Sequence, residues 1–216
     1  MKNKLIMVIM GLLTMLVATA QAELSSDTLK LSDINVTTQV GYESSYVFRG
    51  QEVADDVITA SVRTEYKQVY IGVDSTWGTN SKSFNNEVDV YGGLLIQDVL
   101  FDNTFIDVGA VGYFYNRAFA ADSTELYVGI GADLVAVDVE GYLFYDMDTE
   151  TITAIATVAN TLQLTENAPW VGKVFLTTQG QVGFVDSGNK QNRALSEFKY
   201  GFASIISRYS NNVFSL

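Results

Sequence analysis

The chain has 216 residues, with 13 basic and 25 acidic side chains and a formal charge of −12. That balance excludes a nucleic-acid surface, which needs basic patches. It contains no cysteine and no histidine, which removes disulfides, thiolate metal sites, thiol nucleophiles and the side chain best suited to proton transfer near neutral pH. Hydrophobic residues make up 48 % and aromatics 12 %, with 17 Gly and one Pro. Such a composition suits long strands joined by tight turns.

The first residues read as a secretory signal. Lys2 and Lys4 form a positive start, Leu5 to Ala20 is apolar but shorter than a spanning helix, and Ala20-Gln21-Ala22 is an A-x-A cleavage site. Residues 1–22 are therefore expected to be removed, with an uncleaved anchor as the alternative. Cleavage leaves 11 basic against 25 acidic residues, a net charge of −14. No cysteine follows the site, so no lipid anchor is expected there. Residues 23–35 are polar and predict a lead-in or short plug.

From Val36 the chain alternates. Val36, Thr38, Val40, Tyr42, Ser44, Tyr46 and Phe48 share one face, with Gln39, Glu43 and Arg49 on the other. Period-2 alternation marks a strand with two unlike faces. GQEVADD (50–56) predicts a turn. Ile58, Ala60, Val62 and Tyr66 then oppose Arg63 and Glu65, and Lys67-Gln68 predicts a tight turn. Ile71, Val73 and Trp77 oppose Asp74, ahead of a polar loop over 78–86. Val88, Val90 and Leu94 oppose Glu87, Asp89 and Tyr91. Ile106, Val108 and Phe114 oppose Asp107, Tyr113 and Tyr115. Leu126, Val128 and Ile130 oppose Glu125, Tyr127 and Asp133. Val139, Leu143 and Tyr145 oppose Asp138, Glu140 and Tyr142. Ile152, Ala154 and Ala156 oppose Thr153 and Thr157. Beyond Pro169, Trp170 to Phe184 alternates again, and Phe198 to Tyr209 does so less cleanly.

These segments are long enough to cross a bilayer when tilted, and their short connections predict an antiparallel meander. Large aromatics collect at the strand ends of the apolar face: Phe48, Tyr66, Trp77, Phe114, Tyr145, Trp170, Phe184 and Tyr200. A soluble core would favour them mid-strand, whereas a membrane barrel wears them as girdles at the two interfaces. The predicted fold is all-β: an antiparallel up-and-down transmembrane β-barrel over 36–216 with about 10–12 strands. A soluble periplasmic sandwich or lipocalin-like barrel is the alternative. The end, SNNVFSL, offers Phe214 as a weak terminal signal, or else one or two further strands are missing.

GYESSYVFRG (41–50), DVGAVGYFYN (107–116) and TELYVGIGADL (124–134) resemble the TorF-like porin family of Gram-negative bacteria, over about residues 36–150. Asn116 stands where that family often has Pro. The resemblance implies an outer-membrane barrel and a channel, reached through the barrel-assembly machinery and seated in outer-membrane lipid. It implies no catalytic residues.

The polar face predicts a lumen lined by Glu43, Arg49, Arg63, Glu65, Asp74, Glu87, Asp89, Asp107, Glu125, Asp133, Asp138 and Glu140. Carboxylates outnumber the two arginines, so an open lumen would favour small cationic solutes. The alternative is a lumen plugged by its own side chains, with inward Tyr91, Tyr113, Tyr127 and Tyr142 filling it and inward glycines making room. Paired carboxylates such as Glu87/Asp89 do not predict an enzyme without a partner base. No cofactor is predicted. Asp146, Asp148 and Glu150 have alternate spacing like a loop cation site but lack the rest of such a loop, so an acidic hairpin tip and no metal are expected. Three readings stay open: a porin-like channel, a non-conducting structural barrel, and a surface-binding barrel acting through its loops. The oligomeric state is not legible.

Overall fold

The computed structural model describes residues 34–49, 51–79, 86–116, 121–168, 172–186 and 193–201. They form ten strands and, among the described residues, no helix. These are β1 (Ile34–Phe48), β2 (Gln51–Tyr66), β3 (Val69–Gly78), β4 (Glu87–Gln97), β5 (Thr104–Tyr115), β6 (Ser123–Asp133), β7 (Asp138–Asp146), β8 (Thr151–Ala168), β9 (Gly172–Asp186) and β10 (Arg193–Gly201). Each strand pairs antiparallel with the next, in the order β1 to β10, as one meander. The connections are too short to allow crossovers. Alternate connections therefore lie at opposite ends. Those following odd-numbered strands form the distal end, and those following even-numbered strands form the proximal end.

The sheet curls. β1 and β6 are five places apart, ~24 Å across a flat sheet at about 4.8 Å per strand. Yet Arg49, just beyond β1, donates from Nη1 to Glu125 Oε1 on β6 at 2.7 Å. Tyr70 on β3 likewise reaches Tyr127 on β6. The result is a half-barrel with a concave inner face. Among the described residues β1 and β10 do not pair with each other.

The two faces invert the usual arrangement. Val40 is 70 % exposed, Ile71 60 % and Val182 61 % on the outer face, whereas Glu87, Asp107 and Glu125 are buried on the inner one. A soluble domain hides its aliphatic side chains and solvates its carboxylates. Between β5 and β9 the outer face also holds an apolar depression of about 940 Å³, walled by Ile106, Val128, Leu143 and Phe184 and floored by Gly141, Ala154 and Ala156. Val108 is the exception on this face: it is buried between its register partners Leu94 and Val128.

Two expectations about elements change. The turn expected over 50–56 does not extend through residues 51–56. β2 starts at Gln51, and Asp56 adopts φ 51° within the strand. A left-handed residue there kinks the strand without inserting a residue, since the Glu43–Val57 and Ser45–Asp55 pairs keep one register, and Asp tolerates that conformation better than most. The pairing also shifts between Tyr46 and Val47 on β1. The last strand was expected over 198–209 but begins at Arg193, and residues 202–216 lie outside the described residues. So do residues 1–33, over which the signal and most of the lead-in were expected.

Candidate functional site

The inner face is built from glycine–aromatic pairs in register. Gly72 faces Tyr91, Gly109 faces Tyr127 and Gly129 faces Tyr142. A Cβ on any of these glycines would strike the partner ring. The missing side chain lets each ring lie flat along the wall. Tyr127, Tyr142 and Phe144 then form a contiguous cluster, with Tyr142 stacked on Phe144 at 5.8 Å between centroids.

The polar atoms of this layer close on Asp107. Its Oδ1 accepts from the Tyr70 hydroxyl at 2.7 Å, and its Oδ2 accepts from Tyr142 at 3.0 Å. Tyr70 and Tyr127 share a further hydrogen bond. A carboxylate this deep in the wall needs such partners. Tyr91 donates to Asp74 at 3.2 Å. Arg63 lies over the Tyr70 ring at 4.0 Å and pairs with Glu65 at 2.7 Å, and both border a polar cavity of about 300 Å³ at the proximal end.

A second cluster occupies the distal end. There Arg49 donates to both oxygens of Glu125 and, at 3.2 Å, to the Tyr113 hydroxyl. Tyr113 in turn donates to Glu125 Oε2 at 3.0 Å. The guanidinium lies over Phe144 at 4.2 Å and over Phe48 at 4.7 Å. The ion pair is enclosed, with 13 % of the Arg49 side chain and 7 % of Glu125 exposed. Burial works against the Arg49 charge more than any other single influence, but the hydrogen bond to Glu125 together with the nearby Tyr113, Glu125 and Asp146 outweighs it and lifts the pKa above the ordinary arginine value.

The other residues expected in the lumen divide. Arg63, Glu65, Asp74, Glu87, Asp89, Asp107, Glu125 and Glu140 are partly or fully enclosed, as is Glu43 beside Val57. Asp133 and Asp138 are register partners flanking the turn at 134–137, and both are exposed at the proximal rim. They stand apart from both networks. Among the described residues no group of carboxylates is placed to hold a metal. At the 147–150 turn, Asp146 accepts from the backbone N–H of Asp148 and Thr149 at 2.8 and 2.9 Å, which closes the hairpin tip.

The aromatics expected on the outer face need one correction. Phe48 turns inward, and its ring meets Tyr113 edge-on at 5.9 Å between centroids. The change of facing precedes the register shift between Tyr46 and Val47, whose extra residue, Val53, lies on β2; it falls where the Glu43–Val57 and Ser45–Asp55 pairs flank Asp56 at φ 51°. Tyr46 also leaves the outer face, where the sequence placed it, and bonds to the inward Thr76. Trp77, Phe114 and Phe184 are exposed on the outer face near the distal ends of their strands, in line with Tyr145. Tyr66 lies at the opposite end of the same face. Trp170 lies outside the described residues, and of Tyr200 only the strand position is described.

Sequence reasoning missed Phe144 and the inward turn of Phe48. Phe144 shares the phase of Tyr142, so its facing was legible. The only local signal for the turn was the Asp55-Asp56 pair.

The chain matches no family model, no curated protein and no solved structure.

Proposed function

We propose that this protein is an outer-membrane β-barrel whose acidic inner wall forms a narrow passage for small cationic solutes. The carrying observation is the inverted sheet, with exposed Val40, Ile71 and Val182 outside and buried Glu87, Asp107 and Glu125 inside. In a bilayer the outer face meets hydrocarbon, and the strands satisfy their backbone groups within the sheet. Trp77, Phe114, Tyr145 and Phe184 then make one interfacial belt, and Tyr66 belongs to the other. The sequence supports the same location through its secretory signal and its resemblance to TorF-like porins. Pairing of β1 with β10 or with a later strand closes the barrel. Cation preference follows from charge: among the described residues, Asp74, Glu87, Asp89, Asp107, Glu125 and Glu140 stand on the inner wall with Arg49 and Arg63 as its basic groups.

One observation favours a second reading. The Asp107 network, with Tyr70, Tyr127 and Tyr142, fills the curl with its own side chains. A barrel packed this way is a non-conducting envelope element.

The two readings separate in one experiment. The mature chain is refolded into lipid, checked for heat-modifiable gel mobility, and inserted into a planar bilayer under a salt gradient. The passage reading expects discrete conductance with a cation-selective reversal potential. A folded protein with no conductance would leave the packed barrel, and an anion-selective potential would sink the acidic-wall argument.

A further inference from the structure

The Arg49 cluster has the construction of a ligand site. Glu125 offers both oxygens to one planar guanidinium, the fork-to-fork geometry that suits arginine better than an ammonium. Tyr113 adds a hydroxyl acceptor on the same group. Phe144 supplies an aromatic face at 4.2 Å, within cation–π range. These three residues come from β6, β5 and β7, which are paired in unbroken register. The receptor side of the cluster is therefore part of the wall. The guanidinium comes from elsewhere, carried on the tip of the β1–β2 hairpin.

That tip is attached differently from the wall. β3 ends at Gly78, which pairs with Val57, so residues 51–56 extend past the last β2–β3 pair. Beyond that point the strand pairing of the tip, among the described residues, runs only across Ser45 to Phe48 and Gln51 to Asp55, while side chains such as Tyr46 and Phe48 rest on Thr76 and Tyr113. A two-stranded ribbon alone is marginally stable in water. Its base carries the Asp56 kink, clamped where Thr79 N and Oγ1 donate to the Asp56 carbonyl at 2.9 and 2.7 Å. At its tip stands Arg49, at φ 50°. A segment hinged at a kink thus delivers one cation into a preformed carboxylate and aromatic pocket.

We propose that Glu125, Tyr113 and Phe144 form a guanidinium-binding site which Arg49 fills as an internal stand-in, and which takes the guanidinium group of a solute when the hairpin tip lifts. The site stands on contacts within the chain. Its placement at the mouth of a passage rests on the function proposed above, and there it makes guanidinium-bearing solutes the preferred class. Solute and tip compete for one pocket, so occupancy by the solute opens the distal end.

The test uses the refolded mature chain in lipid and methylguanidinium as the probe, with methylammonium as the control cation. Calorimetry on Arg49→Ala, whose pocket is vacated, is expected to show saturable methylguanidinium binding. Affinity should fall about tenfold or more for methylammonium, and by a similar factor in the double variant Arg49→Ala/Glu125→Gln. Arg49→Gln serves in the same assay if the alanine variant does not fold. The unmodified protein gives an independent readout: methylguanidinium, but not methylammonium, should raise amide hydrogen exchange over residues 44–56. Absence of saturable binding to the vacated pocket would overturn the proposal, as would binding indifferent to Glu125→Gln or unchanged exchange at the tip. Neither measurement needs ion flow. Intact binding with no conductance would sink the passage and leave the site standing.

Discussion

Arg49 shows how one residue ties distant strands together. Its ion pair with Glu125 is enclosed on a wall where most charges are negative. Removing one partner of a buried pair leaves the other uncompensated, at a cost of roughly 3–5 kcal/mol. Glu125→Gln should therefore lower folding stability in lipid clearly, while Arg49→Met/Glu125→Met should recover most of the loss. Urea unfolding of refolded protein in vesicles measures both, and equal losses in the two variants would contradict the pairing. The glycines allow a sharper comparison. A methyl group on Gly109 would meet the Gly92 carbonyl and the Tyr127 ring, and backbone cannot step aside, whereas one on Gly141 would meet only ordinary contact at 3.9 Å. Gly109→Ala is expected to cost about 1–3 kcal/mol by overpacking, and Gly141→Ala to stay within about 0.5 kcal/mol. Similar unfolding midpoints for the two would contradict the close approach at Gly109. At this scale an inward Arg49 was legible as an expectation, although it is the turn beyond β1, with Arg49 at φ 50°, and not strand alternation that places it. The partnership with Glu125 was not, because it joins strands 76 positions apart in sequence and depends on how far the sheet curls.

Strands from β3 to β7 follow their alternation closely, and their facing could be read residue by residue. The β1–β2 hairpin could not. There the chain runs Gln51 to Tyr66 as one strand, with a kink at Asp56 inside it. Two adjacent aspartates look like turn chemistry, and the kink uses the same tolerance of positive φ without ending the strand or inserting a residue. The facing of the hairpin changes beyond that point, which takes Tyr46 off the outer face and carries Phe48 to Tyr113. This gives a prediction at the level of the element. Asp56→Gly keeps a residue at ease with φ 51°, and the tip should stay docked. Asp56→Val forces a β-branched residue into that conformation, and amide exchange over residues 44–55 should rise while β5 and β6 stay protected. Protection at the tip unchanged by valine would mean that the kink at Asp56 does not set its course.

For the whole molecule, the sequence pattern and the curled sheet agree on which side chains face outward over Val57–Tyr66 of β2, β3 to β7, the first half of β8, and Val182 and Phe184 on β9. Strand closure was beyond reach of pattern alone, because alternation fixes faces but not which edges meet. The outer face carries the functional claim. On a surface that meets hydrocarbon, Val73→Arg at mid-strand should cost about 2–4 kcal/mol of folding stability in lipid, and the same change on a water-facing surface should cost little. The most direct measurement exploits the absence of native cysteine. Single cysteines are placed in turn at positions 69–76 of β3, each is labelled with a small fluorophore, and the refolded protein is exposed to bromine-labelled lipid and then to aqueous iodide. The account predicts strong quenching by lipid at 71, 73 and 75, weak quenching by lipid at 70, 72, 74 and 76, and little access of iodide to the first set. Uniform quenching by iodide along β3, in a chain that stays folded and soluble without lipid, would contradict it.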